Sequence, residues 1–154
     1  MQYPKPKLKK HNRKKVHDFS TGVKRKEYED AGGICRTCGA EPITQYHHAN
    51  EKGMGGGRGL GIQINCIGVG DICHNHSNID FLHMSNEILE QRIEEAFKEF
   101  AMWNVNGISL YTGCSVEEVE RQIRKGFLKV QHDSRKGMDY VYTEDIKRWL
   151  MGVA

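Results

Sequence analysis

The chain has 154 residues, of which 38% are hydrophobic and 28% are charged, which suits one ordinary domain or two small ones. No run approaches the ~20 apolar residues of a membrane helix, and no signal-peptide core is present, so we expect a cytoplasmic protein with no membrane partner. Ten of the 23 basic residues but one of the 20 acidic residues lie in residues 1–26. The net charge of +3 therefore divides into +9 for this segment and −6 for the rest, a division that favours a nucleic acid as partner.

The first segment has no apolar periodicity, and Pro4 and Pro6 extend it. The sequence therefore predicts a basic flexible arm over residues 1–26, followed by a short helix over residues 27–33. The five cysteines that follow are odd in number and come without a secretory signal, which disfavours a disulfide framework.

A C-x-x-C pair, flanked by Gly33 and Gly39, is typical of the tight turn of a zinc knuckle. A C-x-x-H pair further along the chain supplies two more ligands. The predicted structural Zn²⁺ site then consists of Cys35, Cys38, Cys73 and His76. Cys66 competes with His76 for the fourth position, whereas Cys114 has the pattern of an ordinary semi-buried thiol.

His47 and His48 end an extended segment that begins at Ile43. Phosphodiester hydrolysis needs a metal ion to polarise the phosphate and a base to deprotonate water, and adjacent histidines can divide these two tasks. If Cys73 begins a helix, His74 and Asn78 lie together at i, i+4 and face a second metal, Mg²⁺ or another divalent cation.

Asn75, Asn78 and His83 remain alternatives for individual roles around that metal. A second extended segment, from Ile62 to Val69, carries Asn65, which can hold the loop that bears His48 through hydrogen bonds. Between the two extended segments lies a loop with six glycines. It lacks the P-loop pattern, but Lys52 and Arg58 can contact DNA phosphates there, the alternative being a mobile hairpin connection.

Together these motifs resemble the HNH endonuclease family, which has a ββα-metal fold with zinc knuckles. The resemblance covers about residues 27–83 and rests on Cys35-x-x-Cys38, Tyr46-His47-His48, the glycine loop, Asn65 and Cys73-His74-Asn75-His76-Ser77-Asn78. It implies metal-dependent DNA cleavage in which His48 is the general base, His47 binds the divalent metal and Asn65 is the middle Asn of the motif.

The chain departs from the family pattern at its end. Gly70 stands where the family has a first cysteine, and Asn78 stands where it has a last histidine. Either His76 completes the zinc site and Asn78 binds the catalytic metal, or His83 is the metal ligand. An inactive site is a further alternative.

From residue 85 onward the pattern becomes mainly helical. Ser85 or Asn86 is predicted to cap a helix whose apolar stripe runs from Ile88 to Trp103. Ser115 and Glu118 then form a capping box for a helix over Val116–Lys125, which Gly126 ends. Two short strands, Phe127–Gln131 and Asp139–Tyr142, surround a polar tip, and Thr143 caps a last helix over Glu144–Met151.

This order fits a winged helix-turn-helix, and Ile108–Leu150 is similar to excisionase-like and MerR-like DNA-binding modules. The similarity rests on Ser115-Val116-Glu117-Glu118-Val119, Arg124-Lys125-Gly126 and Thr143-Glu144-Asp145-Ile146. If the capped helix enters a major groove, its DNA contacts are Arg121, Gln122, Arg124 and Lys125.

The sequence thus predicts an α+β protein with a small ββα-metal nuclease core and a mainly helical winged helix-turn-helix domain. The predicted divisions are an arm (1–26), an HNH-like domain (27–84), a connecting helix (85–106) and a DNA-binding domain (107–154). We expect a metal-dependent DNA endonuclease; the alternatives are a non-catalytic zinc-containing DNA-binding regulator or recombination accessory protein, and a junction-resolving nuclease. The compact arrangement suggests a phage or mobile-element protein in a host cytoplasm, working as a homodimer or with another phage or recombination protein.

Overall fold

The computed structural model of the chain describes residues 17–50, 59–74 and 79–152. Within these ranges the predicted α+β class is confirmed: five α-helices accompany two small antiparallel sheets. The elements, in chain order, are α1 (Thr21–Asp30), β1 (Gln45–His48), a 3-10 turn (Gln63–Asn65), β2 (Cys66–Val69), α2 (Ile79–Ala96), β3 (Met102–Trp103), α3 (Val105–Thr112), α4 (Val116–Arg124), β4 (Gln131–Asp133), β5 (Met138–Tyr142) and α5 (Thr143–Met151).

The first helix begins earlier than the sequence predicts. Ser20 is its N-cap, and the side-chain oxygen accepts a hydrogen bond from the backbone N–H of Val23 at 3.2 Å. Such a cap satisfies one of the amides that a helix start leaves without a partner. The helix α1 therefore includes Lys24, Arg25 and Lys26. The prediction of a flexible arm through residue 26 is wrong for residues 21–26.

A buried carboxylate fixes α1 against the rest of the fold. Glu27 is 2% exposed and accepts hydrogen bonds from Arg36 at 2.8 Å and from Arg92 at 2.9 and 3.0 Å. Arg92 also donates to the carbonyl oxygen of Cys66 at 2.7 Å. Because charged groups are rarely buried unless they are paired, this cluster joins α1, the C-x-x-C turn, β2 and α2 into one body.

Two short antiparallel strands carry the histidine pair. In β1 and β2, His47 lies opposite Ile67 and His48 opposite Cys66. Successive residues of a strand point to opposite faces, so the two histidines have different surroundings. His47 is buried at 2% exposure, and His48 is half-buried.

The long helix α2 begins at Ile79, not at Ser85 or Asn86 as predicted. Ser85 lies inside it, fully buried, and donates its hydroxyl hydrogen to the carbonyl oxygen of Phe81 at 2.9 Å. Phe81 starts an apolar stripe that Leu89 and Ile93 continue, so burial of this stripe outweighs the capping preference of Ser85. The helix ends at Ala96, and Trp103 lies in β3.

The last part of the chain follows the predicted order of elements. Ser115 caps α4 and accepts from the N–H of Glu118 at 3.2 Å, as the sequence predicts. The first strand of the hairpin is Gln131–Asp133 rather than Phe127–Gln131, because the N–H groups of Phe127 and Leu128 donate to Gln122 and finish α4. The sheet order is β3-β5-β4, so β3 adds a strand that the sequence did not indicate.

One buried cluster draws residues from both halves of the chain, including Leu60, Ile67, Leu89, Ile108 and Leu150. The side-chain amide of Asn50 also donates to the carbonyl oxygen of Leu150 at 3.0 Å. The hairpin with the histidines therefore packs on the same core as α5. Among the described helices, none combines the length and the apolarity that crossing a membrane requires.

Candidate metal centre and histidine site

A tight turn between α1 and β1 carries the C-x-x-C pair. The N–H of Cys35 donates to the carbonyl oxygen of Glu41 at 2.7 Å, and the N–H of Gly39 donates to that of Cys35 at 2.9 Å. Gly39 has a φ of 67°, a conformation that glycine adopts without steric cost. The N–H of Arg36 donates to Gly68, so the turn is held against β2.

The turn brings three thiols together. The sulfur atoms of Cys35, Cys38 and Cys73 all lie within 4.8 Å of one another. Ligands at about 2.3 Å from a tetrahedral zinc ion stand about 3.8 Å apart, so this group could bind a metal such as zinc. Cys66 is fully buried on β2 and is not a member of this group within the described ranges; His76, the other predicted fourth ligand, lies outside them.

The pKa values of Cys35 and Cys73 shift in opposite directions. Burial raises the pKa of Cys35, but hydrogen bonds from Thr37 and from the backbone of Cys38, Gly70 and Thr37 outweigh it and lower the pKa to about 6. For Cys73, a hydrogen bond from Thr37 lowers the pKa, whereas burial and the thiols of Cys38 and Cys35 raise it, in balance to about 12. Neighbouring thiols resist becoming thiolates together, and a bound cation removes that obstacle.

Two histidine rings meet beside this turn. The Nδ1 atom of His47 lies 3.3 Å from the Nε2 atom of His74. Phe81 packs against both rings, with centroid distances of 4.9 Å to His47 and 5.9 Å to His74. The structure thus brings together two residues to which the sequence analysis gives a shared metal. Their common surroundings are apolar on the side of Phe81.

A chain of hydrogen bonds orients His74. The Gln45 amide nitrogen donates to Asp71 at 2.6 Å, so the Gln45 amide oxygen is the atom that accepts from Nδ1 of His74. The hydroxyl of Thr44 also donates to Asp71, at 2.8 Å, and these hydrogen bonds from Thr44 and Gln45 lower the pKa of the Asp71 carboxyl. His74 thus carries its hydrogen on Nδ1 and presents the lone pair of Nε2 to His47. The sequence analysis missed Gln45 and Asp71, because no local spacing links either residue to His74.

The other histidine of the pair faces the segment before α1. Nε2 of His48 lies 2.6 Å from the carbonyl oxygen of His17, and its ring stacks on Phe19 with a centroid distance of 4.2 Å. A carbonyl oxygen only accepts, so Nε2 bears the hydrogen and Nδ1 is the acceptor nitrogen of the neutral ring.

Asn65 is fully buried, and its hydrogen bonds reach the chain on both sides of the glycine loop. Its side-chain oxygen accepts from the N–H of Asn50 at 2.8 Å, and its nitrogen donates to the carbonyl oxygens of Leu60 at 3.0 Å and Asn50 at 3.3 Å. The backbone of Asn65 also accepts from Ala49 at 2.9 Å. The residues that directly follow His48 are therefore fixed.

One geometric premise of the sequence analysis is wrong. Cys73 lies in a turn and does not begin a helix, and the N–H of His74 donates to Gly70 at 3.0 Å. Asn78, which the prediction pairs with His74, lies outside the described residues. Asn75, His76, Asn78, Lys52 and Arg58 lie outside the described residues, and His83 is exposed on α2.

Of the DNA contacts predicted on the capped helix, Arg124 and Lys125 are exposed, and Arg121 pairs with Glu118 at 3.5 Å. Gln122 is 1% exposed; it donates to Glu118 at 2.8 Å and accepts from the indole N–H of Trp149 at 3.2 Å. The prediction for Gln122 is wrong in this arrangement, because its polar atoms form hydrogen bonds inside the core.

Comparison of the chain with protein-family models, curated proteins and solved structures finds no match.

Proposed function

We propose that the chain is a metal-dependent DNA endonuclease of the HNH type that hydrolyses phosphodiester bonds. The observation that carries this proposal is the convergence of two ring nitrogens, Nδ1 of His47 and Nε2 of His74, at 3.3 Å. His47 directly precedes His48 on β1. Ring nitrogens at about 2.0 Å from one tetrahedral metal ion stand about 3.3 Å apart, so their separation fits two ligands of one cation. Asn78 and His83 remain the alternatives for a further ligand.

The hydrogen bond from His74 to Gln45 supports the same assignment. Metal-binding histidines usually donate their second N–H to a carbonyl or carboxylate, which fixes the ring and directs the other lone pair to the metal. The series Asp71, Gln45, His74 has this form. A divalent cation bound there would polarise a phosphate and stabilise the departing oxygen.

His48 acts as the general base in this proposal. Its Nε2 hydrogen is held by the carbonyl oxygen of His17, so Nδ1 takes the proton from the attacking water. A cleft of about 550 Å³ lies beside the ring and is lined in part by Lys24 and Tyr46. The cleft is lined by one ammonium group, that of Lys24, which can contact a phosphate, and by one carboxylate, that of Asp18.

The proposed role of Asn65 is to keep that base in place. Its side chain ties Asn50 to Leu60, and its backbone accepts from Ala49. All of these bonds act on the residues directly after His48 rather than on the His48 ring. Asn65 is therefore a positioning residue.

DNA binding is proposed for the basic residues 1–16 and for the C-terminal elements. The order α3, turn, α4, hairpin β4–β5 and α5 supports this proposal, because a winged helix-turn-helix has elements of these types in this order. Arg124 and Lys125 are exposed at the end of α4, and Arg135 and Lys136 are exposed at the hairpin tip. These four cations can contact phosphates on either side of a groove.

A second candidate function uses less of the site. A non-catalytic zinc-containing DNA-binding protein needs the three-cysteine group and the C-terminal elements but no paired histidines. The cysteine group favours it, because that group lies in a turn that serves the fold. Supercoiled plasmid incubated with the protein and Mg²⁺ or Mn²⁺, with and without EDTA, separates the two functions.

The decisive variant is His48→Ala. Because a general base contributes about 10²- to 10⁴-fold, we expect nicking to fall by that factor while the zinc content stays unchanged. His132→Ala is the matched control, since His132 is exposed on β4 and contacts Asp139 at the surface. Full cutting by purified His48→Ala would remove His48 from the mechanism, and no cutting by the wild type with any divalent metal would favour the second function.

A further inference from the structure

We infer that the segment His17–Phe19 is a positioning element for His48, holding its ring and selecting its tautomer. This inference rests on the proposed nuclease function for its catalytic meaning, although its geometry stands without it. The segment lies directly before α1, in the part of the chain that the sequence assigns to a flexible arm.

The first contact is polar. The carbonyl oxygen of His17 accepts from Nε2 of His48 at 2.6 Å. Because the other nitrogen of a neutral ring is then the acceptor, this bond selects the form whose Nδ1 can take a proton from water. The water oxygen keeps the electron pair of its O–H bond and uses it to attack phosphorus, while the P–O bond to the leaving oxygen breaks.

The second contact is a ring stack. Phe19 lies on the His48 ring with a centroid distance of 4.2 Å and an angle of 24° between the planes. A flat surface at this distance limits rotation of the imidazole about the bond that joins it to Cβ. Together, the carbonyl and the phenyl ring define both the direction and the plane of His48.

The segment is itself held on both sides. Nδ1 of His17 contacts the carbonyl oxygen of Gly59 at 2.9 Å, and Ser20 caps α1 directly after Phe19. Gly61 approaches the segment so closely that an added Cβ would overlap the carbonyl oxygen of Asp18. This close approach gives a means of displacing the segment without changing any atom of His48.

The experiment compares Gly61→Ala and Phe19→Ala with two controls. Gly22→Ala is matched to the first variant, because a Cβ at Gly22 has only the Ser20 oxygen near it, at 3.9 Å. Phe19→Trp is matched to the second, because it keeps an aromatic surface. The measurements are kcat and KM for nicking, and the ring ¹⁵N shifts of His48, assigned by their loss in His48→Ala.

We expect Gly61→Ala and Phe19→Ala to lower kcat by about 10- to 100-fold, the size of effect that a small misplacement of a reacting group produces. KM should stay within about twofold, since the phosphate-binding cations are untouched. Both controls should keep the wild-type kcat. The ¹⁵N shifts should show the Nε2–H form in the wild type and a mixture of tautomers in Gly61→Ala.

Wild-type kcat and an unchanged tautomer in both test variants would overturn the inference while leaving the nuclease intact. If the wild type does not cut DNA, the proposed function fails, and the ¹⁵N shifts alone then decide whether the segment positions the ring. If Gly61→Ala does not fold by circular dichroism, Phe19→Ala and its Trp control decide the matter.

Discussion

Cys66 and Cys114 are buried in the core and are not members of the group that Cys35, Cys38 and Cys73 form. They are 0% and 1% exposed, and burial raises the pKa of each thiol to about 12. Their role is apolar packing in the protonated form. A thiol whose pKa is higher in the folded state than in the unfolded chain lowers the free energy of unfolding as the pH rises above the unfolded pKa.

The higher thiol pKa of the folded state predicts a fall in the free energy of unfolding as the pH rises from about 9 to about 12, because thiols of the unfolded chain ionise first. Each thiol contributes up to about 1.4 kcal/mol per pH unit. Cys114→Ala should remove one such contribution, which denaturant titrations at several alkaline pH values can measure. Val119→Ala is the control, since it truncates a buried side chain that does not titrate; an equal slope in Cys114→Ala and Val119→Ala would contradict the prediction.

A buried carboxylate on α1 contributes more to the stability of the fold than the exposed ion pair on the same helix. Glu27 on α1 is almost fully buried, whereas the Lys26–Asp30 pair on the same helix has side chains 60% and 50% exposed. Removing one partner from a buried pair leaves a charge without compensation, which costs about 3–5 kcal/mol, whereas an exposed pair contributes about 0–1 kcal/mol. The two carboxylates thus offer a comparison within a single helix.

We therefore expect Glu27→Gln to lower the free energy of unfolding by several kcal/mol, and Asp30→Asn to change it little. Urea denaturation followed by circular dichroism measures both. The physical reason is that Arg36 and Arg92 would retain their charges next to a neutral amide. Equal stabilities of the two variants would show that Glu27 is screened by water and does not join α1 to α2.

Local chemistry in the sequence predicted the elements that depend on neighbouring residues. The Ser115 cap and the cysteine turn follow from spacings of three residues, and the structure has both. Ser85 shows the limit of such signals, because the same residue type that caps a helix can be buried inside one. Gln122 shows another, since no local pattern reports that Trp149 donates to it.

Interactions between distant parts of the chain decide the rest of the site. The bond from His48 to His17 and that from Gln45 to His74 join residues from separate elements. The sequence could identify the histidines as chemically competent but could not say which backbone or amide atoms orient them. For the same reason the sequence did not predict the contacts of His17 and Phe19 with His48, which depend on where the chain folds back against β1.

The most basic stretch of the sequence directly precedes the residues that contact His48. With α1 starting at Thr21, residues 1–16 contain seven basic residues and no acidic one, a charge of +7. This segment joins the described structure at His17, whose carbonyl oxygen contacts His48. The phosphate binding proposed for residues 1–16 and the proposed base are therefore linked in sequence through His17, and truncation can separate them.

Two deletions test this separation. Removing residues 1–16 should reduce the slope of log binding constant against log salt concentration by about 0.9 for each phosphate that the segment neutralises, with kcat at saturating DNA preserved because His17–Phe19 remain. Removing residues 1–19 should reduce the slope equally and also lower kcat, because this deletion removes the His17 carbonyl and the Phe19 ring that contact His48. Fluorescence anisotropy over a salt series measures the slopes, and plasmid nicking measures kcat. A slope unchanged in both deletions would mean that phosphate binding depends on other cations, such as the exposed ones of α4 and the hairpin tip.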